Sequence, residues 1–176
     1  MDKVVLVDES GKDRLNSDGS LKTLDKLEAH RRGILHRAVS VFIFNSRGQL
    51  LLQKRAAGKY HSSELWTNTC CTHPRTGEKP SETACRRLRE EMGLESKLKE
   101  IFSFLYQADV GNGLIEYEFD HVFTGISDRS PAPDPAEASD WKWISLEDLE
   151  AALAKHPEEF TPWLPRCFPE VKRYRG

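Results

Sequence analysis

Val39 to Phe44 is a run of apolar residues broken only by Ser40, and it constrains the fold more than any other stretch. Successive side chains of a strand point to opposite faces, so this strand is apolar on both and needs cover on both. Asn45-Ser46-Arg47-Gly48 reads as a turn and Leu50 to Leu52 as the returning strand, a hairpin belonging to a buried sheet. Further strands are expected at Val4 to Val7, Ile101 to Ala108, Leu114 to Phe123 and Trp141 to Ile144, with turns at Glu9 to Lys12 and Asp109 to Gly113. Leu21, Leu24 and Leu27 predict one or two helical turns after Ser20, carrying Lys26 and ending near Gly33. Pro80 suits the first position of another helix and Gly93 the residue just past its end, with Ala84, Leu88 and Met92 as its apolar stripe. Ser145 is placed to cap a helix that has Leu146, Leu149 and Leu153 on one face. Beyond Phe160, Pro162, Pro165 and Pro169 predict that any helix is short or interrupted. This order fits a mixed sheet between helices, of the α/β or α+β class.

A length of 176 residues suits one domain spanning 1–176 with a real core. The 28 acidic and 26 basic residues are mixed, for a net charge of −2, so no general basic field draws nucleic acid or a membrane surface. No apolar run approaches the ~20 residues that span a bilayer. The N-terminus lacks the long apolar core of a signal peptide. The 4 cysteines, none in CxxC spacing, fit reduced thiols and a cytoplasmic location.

Two stretches carry chemistry. Along Leu114 to Phe123, alternation puts Glu116, Glu118 and Asp120 on one face and Ile115, Tyr117, Phe119 and Phe123 on the other. An exposed sheet edge would account for that face without any function. Trp66 to Leu94 begins with cysteines and a histidine, passes through a Gly/Pro-containing loop and ends in the Pro80 helix, where Arg87 and Glu91 lie one turn apart beside the apolar stripe. This second stretch resembles a Nudix box, with Glu78, Arg86, Leu88, Glu90, Glu91, Gly93 and Leu94 in register. Thr72 stands where the leading Gly belongs, and Arg87 where a metal-binding Glu belongs. A guanidinium there removes a metal ligand and adds a fork suited to phosphate, so the box looks kept for binding a diphosphate and turned away from cleaving it.

The preceding Thr67-Asn68-Thr69-Cys70-Cys71-Thr72-His73-Pro74 is similar to the element TN-x-x-C-x-HP of the type I isopentenyl-diphosphate isomerases, and Cys71 is the cysteine in register. The resemblance runs from about Leu24 to Trp163. It implies a Nudix-like α/β/α sandwich with a mixed β-sheet, and interconversion of isopentenyl and dimethylallyl diphosphate through a tertiary carbocation. The family's metal ligands correspond to His30, His36, His73, Glu116 and Glu118, a nitrogen and oxygen set suited to one Mn²⁺, Mg²⁺ or Zn²⁺. The interval from His30 to His36 is one residue shorter than in some relatives, a difference that a loop absorbs. Cys71 and Glu118 take the places of proton donor and acceptor, Tyr106 helps beside Glu118, and Trp163 presents its ring to the cation. Lys26, Arg55, Lys59 and Arg87 match diphosphate-binding positions, and Glu91 a position that holds Mg²⁺ with the diphosphate. The implied partner is the small-molecule diphosphate alone, with no nucleic acid or membrane, on a monomer or weak homodimer.

Two other readings remain open on the residues: a Nudix hydrolase of a nucleoside diphosphate derivative, and a metal-stabilised binding module without catalysis. The register of the two cysteines gives a sharp test. Cys71→Ala is expected to lose ~10²–10⁴-fold in isomerase turnover, the usual contribution of a positioned proton donor, and Cys71→Ser to do little better. Cys70→Ala is expected to keep most activity. A normal rate for Cys71→Ala with a dead Cys70→Ala would show the register to be wrong.

Overall fold

The structure is a computed structural model and describes residues 2–175. Its elements in chain order are β1 (Lys3–Val5), β2 (Thr23–Asp25), α1 (Lys26–Arg32), β3 (His36–Phe44), β4 (Leu50–Arg55), β5 (Trp66–Thr67), β6 (Cys70–Thr72), α2 (Pro80–Met92), β7 (Lys99–Asp109), β8 (Ile115–Ile126), β9 (Ala138–Ile144), α3 (Leu146–Lys155) and α4 (Leu164–Arg175). β1 and β2 form a small sheet of their own. The main sheet runs β5-β4-β3-β8-β7, with β6 added to β3 and β9 to β4. β3 and β8 are parallel and the other pairs of this sheet antiparallel, so the sheet is mixed.

The apolar run covers both faces as its composition requires. Val39, Val41 and Ile43 pack with Leu51 and Phe123 under Ala84, Leu88 and Met92 of α2. Phe42 and Phe44 pack with Leu50, Leu52 and Val122 under Leu149 of α3 and Leu164, Phe168 and Val171 of α4. The result is a helix–sheet–helix sandwich. Along β3 and β8 this second face changes character. His36 and Ser40 share the face of Phe42, and Glu116, Glu118 and Asp120 share that of Val122, so its far half is polar and buried. No helix of the described residues is long and apolar enough to cross a membrane.

Three expectations need correction. Leu24 lies in β2 rather than in a helix, and helix α1 starts only at Lys26, where the Asp25 carboxylate accepts from the Glu28 N–H at 3.1 Å. The tail is not broken: α4 runs for 12 residues with Pro169 inside it. Pro165 sits in the first turn, where an N–H has no helical partner. Pro169 therefore forfeits one bond, and the buried Leu164, Cys167, Phe168 and Val171 hold the helix down. The carboxylate face of β8 is no exposed edge either, because β8 lies between β3 and β7.

Helix α2 has the expected bounds, and Gly93 is required there twice over. Its φ is +63°, and a Cβ would stand 2.8 Å from the Ala132 carbonyl oxygen. Ahead of the helix, Glu78 accepts from Arg86 Nε at 2.6 Å and Nη2 at 2.8 Å, and from the Arg75 N–H at 3.0 Å, which clasps the loop to α2. The Arg86 hydrogen bonds hold the Glu78 carboxyl down at about 2, against an ordinary 4.5. A carboxyl lowered on folding stabilises above its unfolded value and loses that contribution as pH falls through the folded one. Glu78→Gln is therefore expected to cost about 1–3 kcal/mol in urea unfolding at neutral pH. The gap should close between about pH 4.5 and 2, and a gap independent of pH would refute the clasp.

Candidate active site

The polar half of the sheet face is assembled by strand register. Parallel pairing sets His36 of β3 opposite Glu118 of β8, and antiparallel pairing sets Tyr106 of β7 opposite Glu118 and Ser40 of β3 opposite Cys71 of β6. His73 follows directly after β6, and α1 lays His30 over the same end. His73 Nε2 lies 2.9 Å from Glu118 Oε1 and 3.1 Å from His36 Nε2, and His36 Nε2 lies 3.5 Å from Glu118 Oε1. His30 Nδ1 and His36 Nδ1 face the carbonyls of Lys26 at 2.6 Å and Ile34 at 2.7 Å, so each Nδ1 donates and each Nε2 is turned into the site.

Four of the five expected ligands come together: ligand atoms of His30, His36, His73 and Glu118 all lie within 4.8 Å of one another. Glu116 instead groups with His30 and His61, and its Oε1 is 3.2 Å from His61 Nε2. Burial pushes His73 and His61 down to about 3 and lowers His30 as well, so these imidazoles are neutral, the form that binds metal. Burial raises Glu116, and the neighbouring charge of Glu118 adds to it. Burial also opposes ionisation of Glu118, but the hydrogen bonds from His36 and His73 outweigh it and hold that carboxylate low. Glu116 Oε2 is buried without a hydrogen-bond partner, and so is the Tyr106 hydroxyl. Converging neutral imidazoles, carboxylate oxygens and an orphaned buried oxygen suit a divalent cation, which this site could bind.

Cys71 and Cys70 part company by alternation. Cys70 is fully buried among Val41, Leu88 and Met92, whereas Cys71 faces a narrow cavity of about 70 Å³ together with Ser40, His73, Glu116, Glu118 and Trp163. The Cys71 thiol donates to Asn68 Oδ1 at 3.0 Å, and its sulfur accepts from Trp163 Nε1 at 3.1 Å. Ser40 Oγ stands 3.5 Å from that sulfur and donates to Asp120 Oδ2 at 2.7 Å. Burial, with the charge of Asp120 behind it, pushes the thiol up to about 12, so it keeps its proton at neutral pH.

The narrow cavity opens into a wider cleft of about 680 Å³ lined by Lys26, Lys59, Arg75, Arg86 and Arg87. Arg87 Nη2 pairs with Glu91 at 2.9 Å and Glu137 at 3.0 Å, and Lys59 pairs with the other oxygen of Glu137. Arg55 donates to the Ser62 and His61 carbonyls at 3.1 Å each, and its guanidinium carbon lies 5.5 Å from the centre of the Trp163 ring. Glu91 lines neither space. It is buried beneath Arg87 and accepts from Arg87 Nε at 3.1 Å and Gln53 Nε2 at 3.0 Å.

Sequence reasoning gave no role to His61, Glu137 or Ser40, and noted Asn68 only as part of the TN-x-x-C-x-HP element and Asp120 only as a member of a face. Asp120 carried a signal, since it shares a strand face with Glu116 and Glu118. His61 and Glu137 lie outside the named strands and helices, and no periodicity marks such positions.

The NUDIX domain family profile matches residues 34–164. The chain is similar to isopentenyl-diphosphate Delta-isomerase 2 of Aromatoleum aromaticum (strain DSM 19018 / LMG 30748 / EbN1), with 51% identity over 170 residues, 97% of this chain and 86% of that protein. It is similar to isopentenyl-diphosphate Delta-isomerase of Serratia proteamaculans (strain 568), with 49% identity over 146 residues, 83% of this chain and 82% of that protein. In fold it resembles the crystal structure of DR0079 from Deinococcus radiodurans, with a TM-score of 0.77 at 22% identity over 96% of this chain and 98% of that one.

A cation that binds these buried donors only in the folded state must stabilise it. Protein stripped with a chelator is expected to gain about 2–4 kcal/mol, and several degrees in Tm, on saturation with Mn²⁺ or Zn²⁺. An unchanged melting curve would refute the site.

Proposed function

This chain belongs to the isopentenyl-diphosphate Delta-isomerases of the NUDIX family, and from that membership we propose how its residues move the double bond between isopentenyl and dimethylallyl diphosphate. The observation that carries the proposal is that a protonated thiol, Cys71, and an ionised carboxylate, Glu118, line one narrow cavity. Cys71 gives its proton to the terminal alkene carbon, and the electron pair of the double bond forms the new C–H bond. The tertiary cation left next to it then loses a proton from the adjacent methylene to Glu118, and that electron pair becomes the new double bond. The products are dimethylallyl diphosphate, a thiolate and a protonated carboxyl, and a proton must return from one side to the other before the next turnover.

The surroundings suit each charge that develops. The thiolate accepts from Trp163 Nε1, which already lies 3.1 Å from the sulfur. The Trp163 ring offers its π-face to the cation, and the Tyr106 hydroxyl, paired by register with Glu118, helps the proton on that side. His30, His36, His73, Glu116 and Glu118 hold one Mn²⁺, or Mg²⁺ or Zn²⁺ in its place. When bound, this ion supplies positive charge that keeps Glu118 ionised and oriented. Lys26, Arg55, Lys59 and Arg87 grip the diphosphate at the cavity mouth, while Glu91, expected from the resemblance to hold Mg²⁺, is instead spent on Arg87 and Gln53 and braces that guanidinium. A guanidinium at position 87, tied to Glu91 and Glu137, occupies the place of a hydrolytic metal ligand, so the diphosphate leaves intact.

Proton NMR of the enzyme with isopentenyl diphosphate and Mg²⁺ is expected to show dimethylallyl diphosphate with no free phosphate or monophosphate. In D₂O the new methyl group should carry deuterium. Release of phosphate at a comparable rate, or no conversion, would overturn the proposal.

A further inference from the structure

His61 is a histidine of the site outside the three-histidine, two-glutamate set that the resemblance implies. Its ring is held edge-on by Tyr60, with centroids 4.3 Å apart, and by Trp163 at 6.1 Å. Nδ1 lies 3.2 Å from the Ser62 hydroxyl, so the ring presents Nε2 to Glu116 Oε1, also at 3.2 Å. The site contains two groups of close ligand atoms, one of His30, His36, His73 and Glu118 and one of His30, His61 and Glu116. His30 is common to both, yet its Nδ1 is spent on the Lys26 carbonyl. A single Nε2 lone pair binds a single ion, so two ions cannot share His30, and one ion held there has donors from both groups beside it. Glu116 enters that centre with an oxygen that is buried and unpartnered, and His61 enters beside it.

We propose that His61 is a sixth protein donor to the metal centre, which becomes a site of four imidazoles and two carboxylates that prefers a borderline first-row dication to Mg²⁺. This rests on the metal centre described above. Six nitrogen and oxygen donors complete an octahedral set, and imidazoles favour Mn²⁺, Co²⁺ or Zn²⁺ over the harder Mg²⁺. The competing arrangement has His61 merely donating a hydrogen bond to Glu116 from Nε2.

Cobalt distinguishes the two, because its visible spectrum reports coordination independently of turnover. Metal-free protein is titrated with Co²⁺, with and without excess Mg²⁺, for wild type, His61→Ala and His61→Cys. Wild type is expected to take up one Co²⁺ that excess Mg²⁺ does not displace, with the weak absorption of a six-coordinate ion. His61→Ala should bind ~10–100-fold more weakly with an altered spectrum. His61→Cys should show a near-ultraviolet thiolate-to-cobalt band absent from wild type, a gain of signal that only a folded site can give. Weaker binding of His61→Ala with an unaltered spectrum, and no new band in His61→Cys, would overturn the donor assignment and leave the five-ligand centre standing. Failure of wild type to bind Co²⁺ at all would overturn the centre and His61's place in it together.

Discussion

Three carboxylates of one strand, Glu116, Glu118 and Asp120, have been withdrawn from water on a single sheet face, and the rest of the site follows from how they are accommodated. Buried carboxylates cannot all ionise side by side without partners. Each finds a different answer. Glu118 is held ionised by two histidines, Asp120 accepts from Ser40, and Glu116 keeps one oxygen without a partner. Glu118 and Asp120, two residues apart, thus have unlike partners, and Cys71 shares one cavity with both. Burial, with Asp120, keeps Cys71 protonated, while the hydrogen bonds from the histidines hold Glu118 ionised.

The same sheet face also explains why the site can be polar without unfolding the protein. Its other half carries Phe42, Phe44, Leu50, Leu52 and Val122 under α3 and α4, and the opposite face packs Val39, Val41, Ile43, Leu51 and Phe123 beneath α2. Those two layers supply the burial that offsets the cost of ordering a polar end. Helix α2 contributes to both sides of the account: Ala84, Leu88 and Met92 face the core, while Arg86 and Arg87 line the outer cleft. Its guanidiniums are already paired with Glu78, Glu91 and Glu137. Such pairing fixes their direction ahead of any anion, which lowers the ordering cost of binding one.

Much of this was legible in the order of residues, wherever a signal repeats locally. The two-sided apolar run of β3, the alternation of β8, and the Pro80 and Gly93 bounds of α2 are short-range patterns, and the structure keeps all of them. Cys71 was singled out over Cys70 by its register in the resembled element, two residues before His73, and it is Cys71 that lines the cavity. What could not be read were features sustained by distant contacts. Helix α4 passes through Pro169 because its apolar face is buried against the sheet, and β6 is three residues long and exists only through β3.

By itself the sequence determined the order of strands and helices and the loop–helix element, since these depend on spacing within one strand or one helix, while the sandwich and most of the chemical groups at the site were expected from the family resemblance of its motifs. Tertiary structure alone decided that His61 faces Glu116, that Glu137 ties Lys59 to Arg87, and that Glu91 lies under Arg87 rather than in the cleft. The contacts of His61 and Glu137 join residues far apart in the chain or in loops without periodicity, and Glu91 is sealed off by the distant Gln53. Their partners are set by how the strands register and which side chains share a buried space, and no local pattern encodes that.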